Sequence, residues 1–79
     1  MGKVVFLGNG KTFDCDYFIE NESSLYMRLY DTDVAVIAGS LATNNGQFQY
    51  GGKVYTGYSD IELIRFEGKT TFVKIRSGK

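Results

Sequence analysis

Three segments of this chain alternate apolar and polar residues with a period of two, and turn-forming residues bound each one. In the first, Phe13, Cys15 and Tyr17 share one side and Thr12, Asp14 and Asp16 the other. In the second, Leu25, Met27 and Leu29 oppose Tyr26, Arg28 and Tyr30. In the third, Thr71, Val73 and Ile75 oppose Phe72, Lys74 and Arg76. A period of two is the geometry of a strand whose faces differ in environment, so the chain is committed to antiparallel sheet. Proline, which would interrupt a strand, is absent from the sequence.

The connections are short. Gly8-Asn9-Gly10 separates strands expected at 4–7 and 11–17, because Gly and Asn accept positive φ. Glu20-Asn21-Glu22-Ser23-Ser24 reads as a polar loop. Gln47–Tyr50 and Lys53–Thr56 flank Gly51-Gly52, a two-residue hairpin signal. Gly57 is expected to break or bulge the strand that follows. From Tyr58 to Phe66 the apolar phase slips at Leu63-Ile64, which predicts a bulge or a strand covered on both faces. Glu67-Gly68 turns the chain into a last strand over 69–76.

One segment has a different period. Val34, Ile37, Ala38 and Leu41 fall at helical spacing behind Asp31-Thr32-Asp33, whose side chains suit a helix start. Asn44-Asn45-Gly46 supplies the stop. The spacing predicts a short helix near residues 32–43; a buried strand through Val34-Ala35-Val36-Ile37 is the alternative, favoured by the β-branched residues. The expected fold is mainly β (α+β): a single domain over 1–79, with a small, strongly curved antiparallel sheet or open barrel of about six strands and one helix closing a side or end.

The helix lies in a stretch, Val34 to Gly52, with no charged residue, in a chain that is 23% charged. Before it, six acids face three bases; after it, six bases face three acids. Such a stretch is buried or meets a partner. Net charge is zero, with nine basic and nine acidic residues, so a general nucleic-acid or acidic-membrane binder is not expected. No apolar run reaches membrane-spanning length, and the start reads as no secretory signal; the expected location is the cytoplasm, with Asn21-Glu22-Ser23 a chance sequon.

Candidate chemistry is sparse. Without histidine there is no Ser–His or Cys–His pair, and the single cysteine excludes an internal disulfide. Cys15 reads as a small core residue. Asp14 and Asp16 could approach within about 7 Å on one strand face, a spacing open to a hard cation and equally to an ordinary wet face. Gly8-Asn9-Gly10-Lys11 lacks the length and the following helix of a phosphate loop. Lys69, Lys74 and Arg76 with Phe72 form a thin basic–aromatic face, better suited to guarding an edge strand than to holding single-stranded nucleic acid. No cofactor, metal or catalytic residue is expected. The tyrosines carry the functional signal, since Tyr26, Tyr30, Tyr50, Tyr55 and Tyr58 cannot all be innermost in 79 residues. They read either as the outer shell of a small core or as a contact surface, with Gln47, Gln49 and Lys53 completing it.

Leu25-Tyr26-Met27-Arg28-Leu29-Tyr30-Asp31 before the helix, and Phe48 to Ser59 with its Tyr-Thr-Gly-Tyr-Ser step, resemble short β-rich accessory proteins of tailed phages and prophages. The resemblance implies a protein of a bacterial host's cytoplasm that is a virion component or an inhibitor of host defence, such as an anti-CRISPR protein. It implies no catalytic residues. The leading expectation is a non-enzymatic module occupying a surface of a larger host or virion protein. The alternatives are an assembly protein that forms homodimers or larger oligomers, and an oligomer with a small ligand in a Tyr-rich pocket between protomers.

Overall fold

A computed structural model describes residues 2–78. Seven strands and one helix follow in the order β1 (Gly2–Phe6), β2 (Thr12–Asn21), β3 (Ser24–Tyr30), α1 (Val34–Ala42), β4 (Phe48–Tyr50), β5 (Lys53–Tyr55), β6 (Tyr58–Glu67) and β7 (Thr70–Ser77). All strands join one antiparallel sheet in the order β5-β4-β1-β2-β3-β7-β6. The sheet curls into a half-barrel, with α1 against β6 on its inner side. Seven strands form where about six were expected, and Gly57, at φ 83°, separates β5 from β6 where a break was read. These two strands then lie on opposite edges of the sheet.

That arrangement explains the curl. Only Thr56 and Gly57 connect the two edges, so the sheet must bring them together at one end. The corner is tied by main chain: Gly57 N–H donates to the Asn45 carbonyl at 2.9 Å, and Gly78 N–H to the Gly57 carbonyl at 2.9 Å. Gly46 sits beneath it at φ 66°, where an added Cβ would stand 2.2 Å from the Tyr58 carbonyl oxygen. No other residue fits that position without moving the corner.

The alternating strands behave as their pattern requires. Val4, Phe6, Cys15, Leu25, Met27, Leu29, Phe48, Val73 and Ile75 are fully buried on the concave face. The expected loop over 20–24 shrinks to the two residues Glu22 and Ser23, because β2 runs on to Asn21 and β3 begins at Ser24. Gly51 and Gly52 both take positive φ, 60° and 82°, as a tight β4–β5 turn demands.

One position departs from its predicted side. Tyr17 was expected inward with Phe13 and Cys15, but it is exposed. Cys15 pairs with Leu29 and Tyr17 with Arg28, leaving Asp16 as an extra residue. This bulge shifts the phase of β2, so Phe18 rather than Tyr17 packs against the core. The phase slip read at Leu63-Ile64 is a bulge of the same kind, with Ile64 unpaired between Leu63↔Val73 and Arg65↔Phe72.

The 34–42 segment is helical. Asp33 accepts a hydrogen bond from Val36 N–H at 2.9 Å, capping the first turn. Ile37 and Leu41 are buried as their spacing requires, but Ala38 is exposed and Ser40 takes the third buried place. The reason is polar: the Asn9 side-chain amide donates to Ser40 Oγ at 3.0 Å, which turns that edge of the helix toward the β1–β2 turn. A second buried hydroxyl, Thr71 Oγ1, donates to the Thr32 carbonyl at 2.6 Å and holds the chain entering the helix.

Candidate protein-interaction surface

The aromatic residues divide between two faces. On the concave side, Phe48 and Tyr55 stack with centroids 5.0 Å apart, and Phe18 stacks on Tyr50 at 4.0 Å. Tyr58 meets Phe48 edge-on at 5.7 Å and Tyr55 at 6.0 Å. Tyr55 is only 8% exposed, so the contact role expected for it gives way to a packing role. Its hydroxyl donates to Glu20 Oε1 at 3.3 Å. Burial, then the Glu20 charge, pushes this phenol's pKa above its ordinary value.

Lys53 closes the rim of that cluster. Its Nζ lies 3.4 Å from Glu20 and 4.9 Å from the Tyr55 ring centre. Gln47 lies at the opposite end of the β4–β5 hairpin: its amide donates to Thr56 Oγ1 at 3.3 Å and its carbonyl accepts from Asn44 at 2.7 Å. Gln49 is half-buried between Val5 of β1 and Val54 of β5.

Tyr26 and Tyr30 stand on the convex side. The registers place Ile19, Tyr26, Lys74 and Glu62 in one row across β2, β3, β7 and β6. A second row holds Tyr17, Arg28, Phe72 and Arg65. Tyr17 and Phe72 meet edge-on at 5.4 Å, and Lys74 Nζ lies 5.6 Å from the Tyr26 ring centre. The structure therefore sets Tyr26 and Tyr30 on one face of β3 with Arg28 between them, gathers Tyr50, Tyr55 and Tyr58 in the inner cluster with Lys53 and Gln47 at the two ends of the β4–β5 hairpin, and sets Gln49 on the outer side of β4.

The centre of the convex side is polar. Asp16, freed by the bulge, accepts from Arg28 Nε at 2.7 Å and Nη2 at 3.3 Å, and from the Tyr30 hydroxyl. Beyond Thr70 and Phe72, Arg65 pairs with Glu67 at 2.8 Å. These residues line an open cleft of about 600 Å³. The hydrogen bond from Arg28, then that from Tyr30, holds the Asp16 carboxyl below the ordinary carboxylate range. The same bond raises the Tyr30 phenol. Asp16 is thus a weak proton acceptor and Tyr30 a weak proton donor.

Asp14 does not share this cluster. It pairs with Lys3 of β1 at 3.3 Å, while Asp16 turns to β3, so the two carboxylates are each drawn to a different cation. Cys15 is buried, and burial raises its thiol pKa. Among the described residues, no helix is long and apolar enough to cross a membrane.

Sequence reading missed Asp16, Arg28, Tyr17 and Phe72 as a unit. Arg28 between two tyrosines was the visible signal. The bulge that turns Asp16 toward it required the β2–β3 register. No family model, curated protein or solved structure matches the chain.

Proposed function

We propose that this chain is a non-enzymatic protein-binding module whose contact surface is the convex face of β2, β3, β7 and β6. The observation that carries the reading is the row of Tyr17, Arg28 and Phe72 beside Tyr26 and Tyr30, held in place by the Asp16–Arg28 pair at 2.7 Å. Tyrosine and arginine contribute most to protein recognition when they bury apolar area and keep a polar tip. Rings fixed on paired strands lose little conformational entropy on binding. The resemblance to phage and prophage accessory proteins supports a host or virion protein as the partner, with inhibition of a bacterial defence system as the biological role.

The test is capture of proteins from a bacterial host lysate by the immobilised chain. Tyr26→Ala and Arg28→Ala should each lose a protein that the unaltered chain retains. Val54→Lys, on β5 at the far edge of the sheet, should keep it. Capture that survives both convex substitutions rules out this surface.

A further inference from the structure

The two edges of the sheet are unequal. β5 has three residues, and Lys53 begins it, which blunts that edge. β6 has ten residues and, among the described residues, pairs only with β7. Among the described residues, the exposed large hydrophobics concentrate on β6, with Leu63 at 45%, Ile64 at 43% and Phe66 at 52%. An exposed edge of this length and character is a template for another strand.

The charges on β6 specify which strand. Asp60, Glu62, Arg65 and Glu67 lie on its convex side, because they pair with or beside the outward residues of β7. Ile61, Leu63 and Phe66 lie on the concave side, opposite Ile75, Val73 and Thr71. The extra residue Ile64 shifts the phase between these two halves. An antiparallel copy of β6 can therefore match faces across the bulge only when a residue before it meets one after it.

We propose that β6 pairs with β6 of a second copy of this chain about a two-fold axis between Leu63 and Ile64. In this register Glu62 faces Arg65 of the other copy and Ile61 faces Phe66, each twice by symmetry. Asp60 falls opposite Glu67, but Arg76 already holds Asp60 at 2.8 Å, and Arg65 holds Glu67 at 2.8 Å. The five N–H donors of Arg65 can serve Glu67 and the incoming Glu62 together.

Other registers are worse. Pairing the first half of β6 with itself sets Asp60 or Glu62 against another acid. Sliding by two residues one way sets Glu62 against Glu67, and the other way sets it against the inward Leu63. A register centred on Phe66 places Arg65 against Glu67 but joins only the last residues of the strand. The chosen register covers Leu63, Ile64 and Phe66 and continues the sheet, and with it the convex face, across the axis. It stands independently of the convex-face reading.

Sedimentation of the purified chain over a micromolar-to-millimolar series tests the proposal. A concentration-dependent dimer is expected. Glu62→Arg and Arg65→Glu should each raise the dimer Kd by about tenfold or more, because each juxtaposes like charges twice. The two single variants mixed should form a heterodimer, since one then supplies two arginines and the other two glutamates. Ile64→Lys, on an exposed unpaired residue, should also weaken the dimer should a charge reversal disturb folding. Tyr26→Ala should leave it unchanged, which separates this pairing from partner capture. A monomer at millimolar concentration, a dimer indifferent to all three β6 substitutions, or mixed variants that stay monomeric overturns the proposal.

Discussion

Tyr55 and Tyr26 occupy strands of the same sheet, in stretches with similar alternation, yet they do opposite work. Tyr55 lies flat against Phe48 at 5.0 Å and is nearly sealed from solvent. Tyr26 lies on the convex face beneath Lys74 and remains half-buried. The difference comes from what covers each face. The concave side is closed by its own curvature, by α1 and by the β5–β6 corner. Among the described residues, the convex side has no second layer. A ring inside therefore stabilises the fold, and a ring outside is free to be covered by something else.

The largest effect that could break this comparison is Phe48→Ala. Phe48 is fully buried and touches Phe6, Tyr55 and Tyr58, so its truncation should cost about 3–5 kcal/mol in urea unfolding. Stability close to that of the unaltered chain would show that the inner cluster does not hold the barrel. Tyr55→Phe sharpens the point. It keeps the stack and removes only the hydroxyl donated to Glu20 at 3.3 Å, so the cost should fall to about 1 kcal/mol. Tyr26→Ala should cost about 1 kcal/mol or less, the scale of an exposed cross-strand pair. A loss equal to that of Phe48→Ala would mean that the convex rings are structural.

The smallest effect is visible as a pH dependence. The folded state depresses the Asp16 pKa, chiefly through Arg28. Its stabilisation is complete above the unfolded carboxylate's pKa, about 3.9. It disappears as pH falls through the lower folded value. The stability gap between the unaltered chain and Asp16→Asn should therefore be steady at neutral pH and close in acid. Denaturant titrations at a series of pH values measure it; a gap that widens on acidification contradicts the Asp16–Arg28–Tyr30 network.

Much of this architecture is readable from short windows. Leu25, Met27 and Leu29 alternate with polar neighbours, and they are buried for that reason. Asp33 stands where a cap is needed, and the β-branched residues behind it become helix rather than strand once Val36 is capped. Gly51-Gly52 and Leu63-Ile64 announce a hairpin and a bulge because both depend on nearby backbone. Asp16 gives a weaker signal. The alternation breaks just beyond it, at Tyr17-Phe18-Ile19, and which residue is left over is decided when β2 registers with β3.

For the candidate site, the residue types were legible in the sequence but not their placement. Tyrosine enrichment marked a surplus of amphipathic rings, and their period divided each strand into two sides. Which side would be sealed at residue 55 and open at residue 26 depended on strand order, since β5 and β6 are separated by the width of the sheet and joined by two residues. Alternation, turns and the helix cap are local, set by sterics and hydrogen bonds within a few residues. Curvature, the buried stack at Phe48 and the open edge at β6 arise from contacts between distant strands, where only the packed chain decides which neighbours exclude water.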